Sequence, residues 1–223
     1  MIKFALPTGD LRSPVAEVLQ SRGVQVEGYG EGSRHYRSLP VTSHDDLRVR
    51  VFRERDIPMQ VALGNYAIGI ASLGWVMEMQ VRFPQQPLVP IASLGIGASM
   101  IFAAGHPESA GSLDDLARLP IVRIASDTPN IAEAFARAAR LRRYRVQAVH
   151  GAAEAYPPED ADLVIVAAGS EDDLRQHGLV PLFRLLENSA WLFANADSLA
   201  SKGLHPIIGP LSEGQEASPG PRL

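Results

Sequence analysis

Residues Ala161-Asp162-Leu163-Val164-Ile165-Val166-Ala167-Ala168-Gly169-Ser170-Glu171-Asp172-Asp173-Leu174 constrain the fold more than any other stretch of this chain. An unbroken apolar run of strand length leads into a Gly-Ser turn and then into the opening of a helix. Such a run reads as a strand buried by helices packed over its sheet. The strand-turn-helix layout commonly offers backbone N–H groups and the positive end of a helix dipole to an anion, often a phosphate. Here Glu171, Asp172 and Asp173 occupy the first helical turn. The layout of an anion site is present with its electrostatics reversed.

The same alternation runs through most of the chain. A strand is expected at Ile2–Leu6 and a helix at Leu11–Arg22, where Leu11, Val15, Val18 and Leu19 fall at helical spacing and Gly23 stops the run. Strands follow at Val24–Glu27 and Leu47–Phe52, then a helix at Asp56–Leu63 with Pro58 in its first turn. A strand at Ala67–Ala71 leads to a helix at Ser72–Met79. The proline-rich stretch Phe83–Pro90 reads as a crossover. Beyond it come strands at Ser99–Ala103 and Ile121–Ala125, a helix at Pro129–Arg140, and strands at Tyr144–Val149 and Leu163–Ala167. Leu182–Leu186, Ala190–Ala194 and a short helix at Ala196–Ser201 complete the pattern, and Gly209–Leu223 is rich in Gly, Pro and Ser. Alternating strands and helices predict an α/β chain of two lobes with a cleft between them. Ligands of such sheets bind beyond the carboxyl ends of the strands. Those turns lie near Thr8–Asp10, Arg53–Asp56, Ala71–Gly74, Ser126–Asn130 and Gly169–Asp173.

Composition removes several classes of function. A net charge of −4 argues against a general nucleic-acid binder. The absence of cysteine excludes a disulfide scaffold, a thiolate metal site and a thiol nucleophile. The six histidines show no pair at helical ligand spacing. The opening apolar run is too short for a signal peptide, and Ile68–Val76 is far below spanning length, so no membrane contact and a cytoplasmic location are expected.

Several motifs recur in an order that resembles the catalytic chain of ATP phosphoribosyltransferase. They are Leu6-Pro7-Thr8-Gly9-Asp10-Leu11, Arg53-Glu54-Arg55-Asp56-Ile57-Pro58, Gly69-Ile70, Arg123-Ile124-Ala125 with Pro129-Asn130, Gly151-Ala152-Ala153-Glu154, Ala161-Asp162, His177-Gly178-Leu179 and Ser189-Ala190-Trp191-Leu192-Phe193-Ala194-Asn195. The resemblance spans roughly residues 1–205. It implies a two-lobed, periplasmic-binding-protein-like fold of mixed sheets flanked by helices. On that reading lobe I is 1–88 plus 178–205, lobe II is 89–177 with the strand-turn-helix at 161–174, and 206–223 is a disordered tail. It also implies the reaction: N1 of ATP attacks C1 of phosphoribosyl pyrophosphate, pyrophosphate leaves, and Mg2+ takes part. The short form is implied, working with a regulatory subunit resembling histidyl-tRNA synthetase and assembling as a homodimer or larger.

Such a reaction needs cations and N–H donors for the leaving diphosphate, and alignment of two substrates. The resemblance points to Gly9, Arg53, Arg55, Asp56, Glu154, Gly169 and Ser170 for substrate, and to Glu154 and Asp172 for the metal ion; it names no catalytic residue. Family basic residues are replaced by Thr8 and Asp10, an aspartate by Ala67, a glycine-lysine-aspartate by Ser72-Leu73-Gly74, a strand aspartate by Val166, and the phosphate loop by Gly169–Asp173. Several of the candidate residues have a plainer reading. Ser170 and Asp173 make a helix cap, Arg53 and Arg55 a solvated pair, Glu154 an exposed helix-start glutamate. Asp162 reads as a turn or cap residue, Arg137–Arg145 as a solvated basic face, and Trp75 and Trp191 as core. The losses leave open a second reading, a non-catalytic paralogue or small-ligand-binding module on the same scaffold.

Overall fold

A computed structural model of the chain describes residues 1–30 and 39–213, which form two compact units. The first comprises Met1–Gly97 and the described residues from Ser189 onward; the second is Ala98–Asn188.

In the first unit β1 (Ile2–Pro7) is followed by α1 (Arg12–Ser21), β2 (Leu47–Phe52), α2 (Ile57–Ala62), β3 (Ile68–Ser72), α3 (Leu73–Arg82) and β4 (Leu88–Ser93). The chain returns to this unit as β10 (Ala190–Asn195), α7 (Ala196–Ser201) and α8 (His205–Ser212). Strand order is β2-β1-β3-β10-β4, with β1 parallel to β2 and β3, and β10 antiparallel to β3 and β4. Phe4, Leu6, Val15, Leu19, Leu47, Val49, Ile70 and Leu192 form its core with Ile207 and Leu211 of α8. On the other face α2 lies against β3 at Gly69, where an added Cβ would sit 2.7 Å from Ile57 and 2.9 Å from Val61. That closeness fixes the turn 53–56 at the end of β2, because α2 begins directly after it. Buried Asn195 ties the parts together: its amide donates to the carbonyls of Val61 at 3.1 Å and Ala62 at 3.3 Å, and its Oδ1 accepts from Ser198 N–H at 2.9 Å. One side chain thus satisfies the end of α2 and the start of α7.

The second unit contains β5 (Ser99–Gly105), α4 (Leu113–Arg118), β6 (Val122–Ser126), α5 (Pro129–Ala138), β7 (Tyr144–Ala148), β8 (Leu163–Ala168), α6 (Glu171–Gln176) and β9 (Val180–Asn188). Its order is β7-β6-β8-β5-β9. β6 is parallel to β7 and β8, and β5 is antiparallel to β8 and β9. Both sheets are therefore mixed and follow one plan, in which the strand arriving from the other unit slots in antiparallel beside the third strand of its βα series.

Four expectations change. Leu88–Pro90 is not crossover but the start of β4, an edge strand, where proline costs no interior ladder bond. The passage between units falls at Gly97/Ala98 and Asn188/Ser189, because β4 pairs with β10 and β9 pairs with β5. Residues 206–212 belong to α8, whose Ile207 and Leu211 are buried; 214–223 lie outside the described residues. Val24–Glu27 contributes only an isolated bridge, Val26 to Val41.

Candidate active site

In the first unit the carboxyl ends of β1, β2 and β3 converge, since β1 pairs with both neighbours. After Pro7 the chain must reverse into α1, and Gly9 does so at φ +76°, a region costly for any residue with a Cβ. Arg53 is extended (φ −60°, ψ 137°) and opens the turn Glu54–Asp56. Arg53, Arg55 and Asp56 are exposed, and Arg55 lies 3.8 Å from Asp56. Four of the residues the sequence singles out, Gly9, Arg53, Arg55 and Asp56, are thus brought to adjacent strand ends.

Two further groups of this region escaped the sequence. Glu54 is half-buried, and its Oε1 accepts a hydrogen bond from Ser72 N–H at 2.6 Å and another from Ser72 Oγ. Burial holds its carboxyl above the ordinary glutamate range; the Ser72 bonds oppose this and the charge of Asp10 reinforces it. Arg12 supplies a cation one step beyond the lost basic positions at 8 and 10. Its guanidinium lies over the Tyr29 ring at 5.4 Å, and its buried Nε has no hydrogen-bond partner among the described residues. Tyr29 is held in turn by its hydroxyl, which donates to Pro7 O at 2.9 Å.

The second unit has its own strand-end groups. Ser126 closes β6 with its Oγ 2.7 Å from Ile165 O, and it accepts from Thr128 N–H at 2.9 Å. Between them Asp127 is half-buried and its carboxyl is pushed up, by burial first and with a contribution from the charge of Glu154. Glu154 is presented by the turn Ala153–Ala155 after two left-handed residues, Gly151 at φ +93° and Ala152 at φ +53°. The loop carrying it is stapled by Arg123. That side chain reaches Asp162 at 2.7 and 3.2 Å, Pro158 O at 3.0 Å, and Glu159 O. Asp162 therefore anchors this loop through Arg123, a cross-strand ion pair rather than the turn or cap expected of it.

At the end of β8 the Gly169–Asp173 turn is closed by its own side chains. Ser170 N–H donates to Asp173 Oδ2 at 2.9 Å and Asp173 N–H to Ser170 Oγ at 3.2 Å, a complete capping box. A Cβ at Gly169 would lie 2.9 Å from Asp173 Oδ2, so a larger residue there would displace the carboxylate of the box. Glu171 is bound by Arg184 and Arg175, each at 2.8 Å, and Asp172 by Arg175 at 2.7 Å. Arg184, followed by Arg175, holds the Glu171 carboxyl below its ordinary range. Two of the N–H groups an anion would use are occupied, and the charges of Glu171 and Asp172 are offset by Arg175 of α6 and Arg184 of β9.

Magnesium is the ion the resemblance implies. Among the described residues no three of His, Asp or Glu gather closely enough to hold a metal ion. Asp172, expected as a ligand, is paired with Arg175 instead, which leaves Glu154 with Asp127. Among the described residues, then, no resident metal site is gathered by the protein side chains.

A family model described as ATP phosphoribosyltransferase matches residues 53–213, well over half of the chain. The ATP phosphoribosyltransferase of Methanocaldococcus jannaschii is 30% identical over 206 residues, covering 91% of this chain and 67% of that protein. This chain belongs to the ATP phosphoribosyltransferase family. The Aquifex aeolicus ATP phosphoribosyltransferase is 26% identical over 204 residues, covering 91% of this chain and 88% of the relative. In fold, the chain is similar to an ATP phosphoribosyl transferase (HisG:HisZ) complex from Thermotoga maritima. The TM-score is 0.76 at 19% identity, with 95% of this chain and 96% of that one covered. It is also similar to the alkanesulfonate-binding protein SsuA from Xanthomonas axonopodis pv. citri bound to MOPS, at TM-score 0.54 and 10% identity, over 94% and 71% of the two chains. Within this family fold, the Gly169–Asp173 turn is closed by its own side chains.

Proposed function

We propose that this chain transfers the phosphoribosyl group of phosphoribosyl pyrophosphate to N1 of ATP. The C1–oxygen bond to pyrophosphate breaks, its electron pair leaves with pyrophosphate, and the N1 lone pair forms the new bond to C1. The observation that carries the reading is the set Gly9, Arg53, Arg55 and Asp56, gathered on two adjacent strand ends in a chain of this family. Arginine binds phosphate oxygens through a planar fork of donors, which suits Arg53 and Arg55 to polyphosphate. On this reading Gly9 lets backbone approach the ligand, and Glu154 is assigned to accept from a ribose hydroxyl. The work of these groups is alignment and charge compensation, with no covalent intermediate on the protein. Magnesium enters bound to the diphosphate.

The Thermotoga maritima relative was solved in complex with HisZ. By analogy this chain takes a regulatory subunit resembling histidyl-tRNA synthetase, assembles as a homodimer or larger, and works in the cytoplasm. Among the described residues no helix is long and apolar enough to cross a membrane.

One observation favours the second reading, a non-catalytic paralogue or small-ligand-binding module. The capping box and the arginine pairs consume the polar groups at Gly169–Asp173 that a diphosphate would need. Isothermal titration of phosphoribosyl pyrophosphate with magnesium into the full chain separates the two. Saturable heat that grows when ATP is present supports the transferase; silence at millimolar ligand, with and without the partner subunit, supports the module.

A further inference from the structure

From the end of α5 into β7 the chain carries Arg137, Arg140, Arg142, Arg143 and Arg145. Arg137 is bound to Glu133 at 3.0 Å, and the Tyr144 hydroxyl donates to the same carboxylate at 3.3 Å. The other four arginines are exposed and make no ion pair among the described residues. Arg145 lies directly beside Arg123 in the β6–β7 ladder, and the carboxylate on that side, Asp162, already belongs to Arg123. Like charges set opposite each other in a sheet are destabilising. Arg140 holds a left-handed backbone at φ +54°, a place after a helix that glycine or asparagine fills at least cost. A face that only meets water gains nothing from arginine there, nor from four uncompensated charges of one sign between 140 and 145.

These cations flank an open sheet edge. β7 is the last strand of its order, and its ladder to β6 is parallel. Arg143 O accepts from Val122 N–H at 2.9 Å and Val149 N–H donates to Ser126 O at 2.9 Å, so the odd-numbered residues of β7 turn their backbone groups to β6. The N–H and C=O groups of Tyr144, Val146 and Ala148 therefore point to the outer edge, where no strand pairs with them among the described residues. We propose that this edge docks an acidic extended segment of a partner protein, which joins the sheet beside β7 and sets carboxylates against Arg143 and Arg145. Main-chain groups give the affinity, and opposite charges across the new pair give the selectivity. Arginine suits a carboxylate through its planar fork of donors. A free backbone edge matches a polypeptide, whereas a nucleic acid has no ladder of N–H and C=O groups to offer, and a net charge of −4 exerts no general pull on one. A second copy of this chain would bring arginine against arginine, which is how charged edges avoid their own kind. The surface lies on the second unit alone and does not depend on the transfer reaction proposed above.

The test titrates the full chain into three fluorescent probes and follows their anisotropy: a peptide alternating glutamate with threonine, one of equal length and charge alternating glutamate with proline, and oligouridylate. Proline cannot donate to a ladder, so the second probe carries the charge without the strand. The glutamate–threonine peptide should bind with a Kd below about 1 mM, at least about tenfold more tightly than either of the others. Arg143→Glu combined with Arg145→Glu should weaken it at least about tenfold. So should Ala148→Pro, which removes an outward N–H from an exposed residue and leaves the bonds to β6 in place. Thermal melts establish that each variant is folded, and the proline peptide decides the strand question if Ala148→Pro is not. Three results overturn the proposal: no saturable binding of the glutamate–threonine peptide, binding of the proline peptide or oligouridylate within about tenfold of it, or a charge-reversed variant that binds like the wild type.

Discussion

Arg184 donates to one oxygen of Glu171 from both Nε and Nη2, at 3.0 and 2.8 Å, and so joins the middle of β9 to the first residue of α6. The pair explains how three consecutive carboxylates persist at the end of a buried strand. Glu171 is neutralised by Arg184 and Arg175, Asp172 by Arg175, and Asp173 is spent on the capping box. Replacing Glu171 by Gly and Asp172 by Thr together frees both arginines and removes two negative charges beside the turn. Pyrophosphate affinity should then rise at least about tenfold in calorimetric titration, with little change in unfolding temperature because these pairs are exposed. Unchanged affinity would mean that the turn does not meet the ligand.

Glu54 makes stability depend on pH with a definite sign. Its carboxyl is held above the ordinary range by burial, so the folded state binds this proton more tightly than the unfolded one. The stabilisation is fully present below the unfolded value, ~4.3, and is lost as pH rises through the elevated folded value. The charge of Asp10 acts on Glu54 in the same direction as burial, and the two Ser72 hydrogen bonds oppose it. The melting temperature of Glu54→Gln should therefore gain on wild type as pH is raised from about 4 to about 7. A constant difference across that range would contradict the assignment.

Gly69 tests the packing that sets the Arg53–Asp56 turn. A methyl group there meets Ile57 at 2.7 Å, Val61 at 2.9 Å and Phe193 at 3.0 Å. Gly69→Ala should cost about 1–3 kcal/mol in denaturant unfolding through overpacking. Gly203→Ala, where nothing lies within 4 Å, serves as the control and should stay within about 0.5 kcal/mol.

Much of this fold is legible in the chain because strand and helix periods alternate along most of it between Ile2 and Ala167. What the sequence hides is instructive. α8 is disguised by Pro206, Gly209 and Pro210, yet Leu204, Ile207, Ile208 and Leu211 fall on one helical stripe, and Pro206 sits in the first turn where its missing N–H costs nothing. β4 hides behind Pro87 and Pro90 because an edge strand tolerates what a central one does not. At the candidate site the glycines and exposed arginines announce themselves. Glu54 does not, since its importance comes from Ser72, eighteen positions away and met only after α2 has packed on β3. The partner of Glu171 is equally invisible, because Arg184 arrives on a different strand.

Arg123 and Asp162 carry the loop that presents Glu154. Asp162 is 8% exposed and its arginine 34%, so removing the cation leaves a nearly buried carboxylate. Discounted for the open side of the pair, Arg123→Ala should cost about 2–3 kcal/mol in chemical unfolding. Asp127 and Glu154 would lose their mutual placement, and substrate KM should rise more than kcat falls. Wild-type stability in that variant would show that the staple contributes nothing.

The central claim is tested most directly by mixing the full chain with ATP, phosphoribosyl pyrophosphate and magnesium, alone and with a histidyl-tRNA-synthetase-like partner, and following nucleotide product and pyrophosphate together. The account predicts phosphoribosyl-ATP and pyrophosphate in equal amounts. A folded chain that forms its complex with the partner yet releases neither product would contradict it.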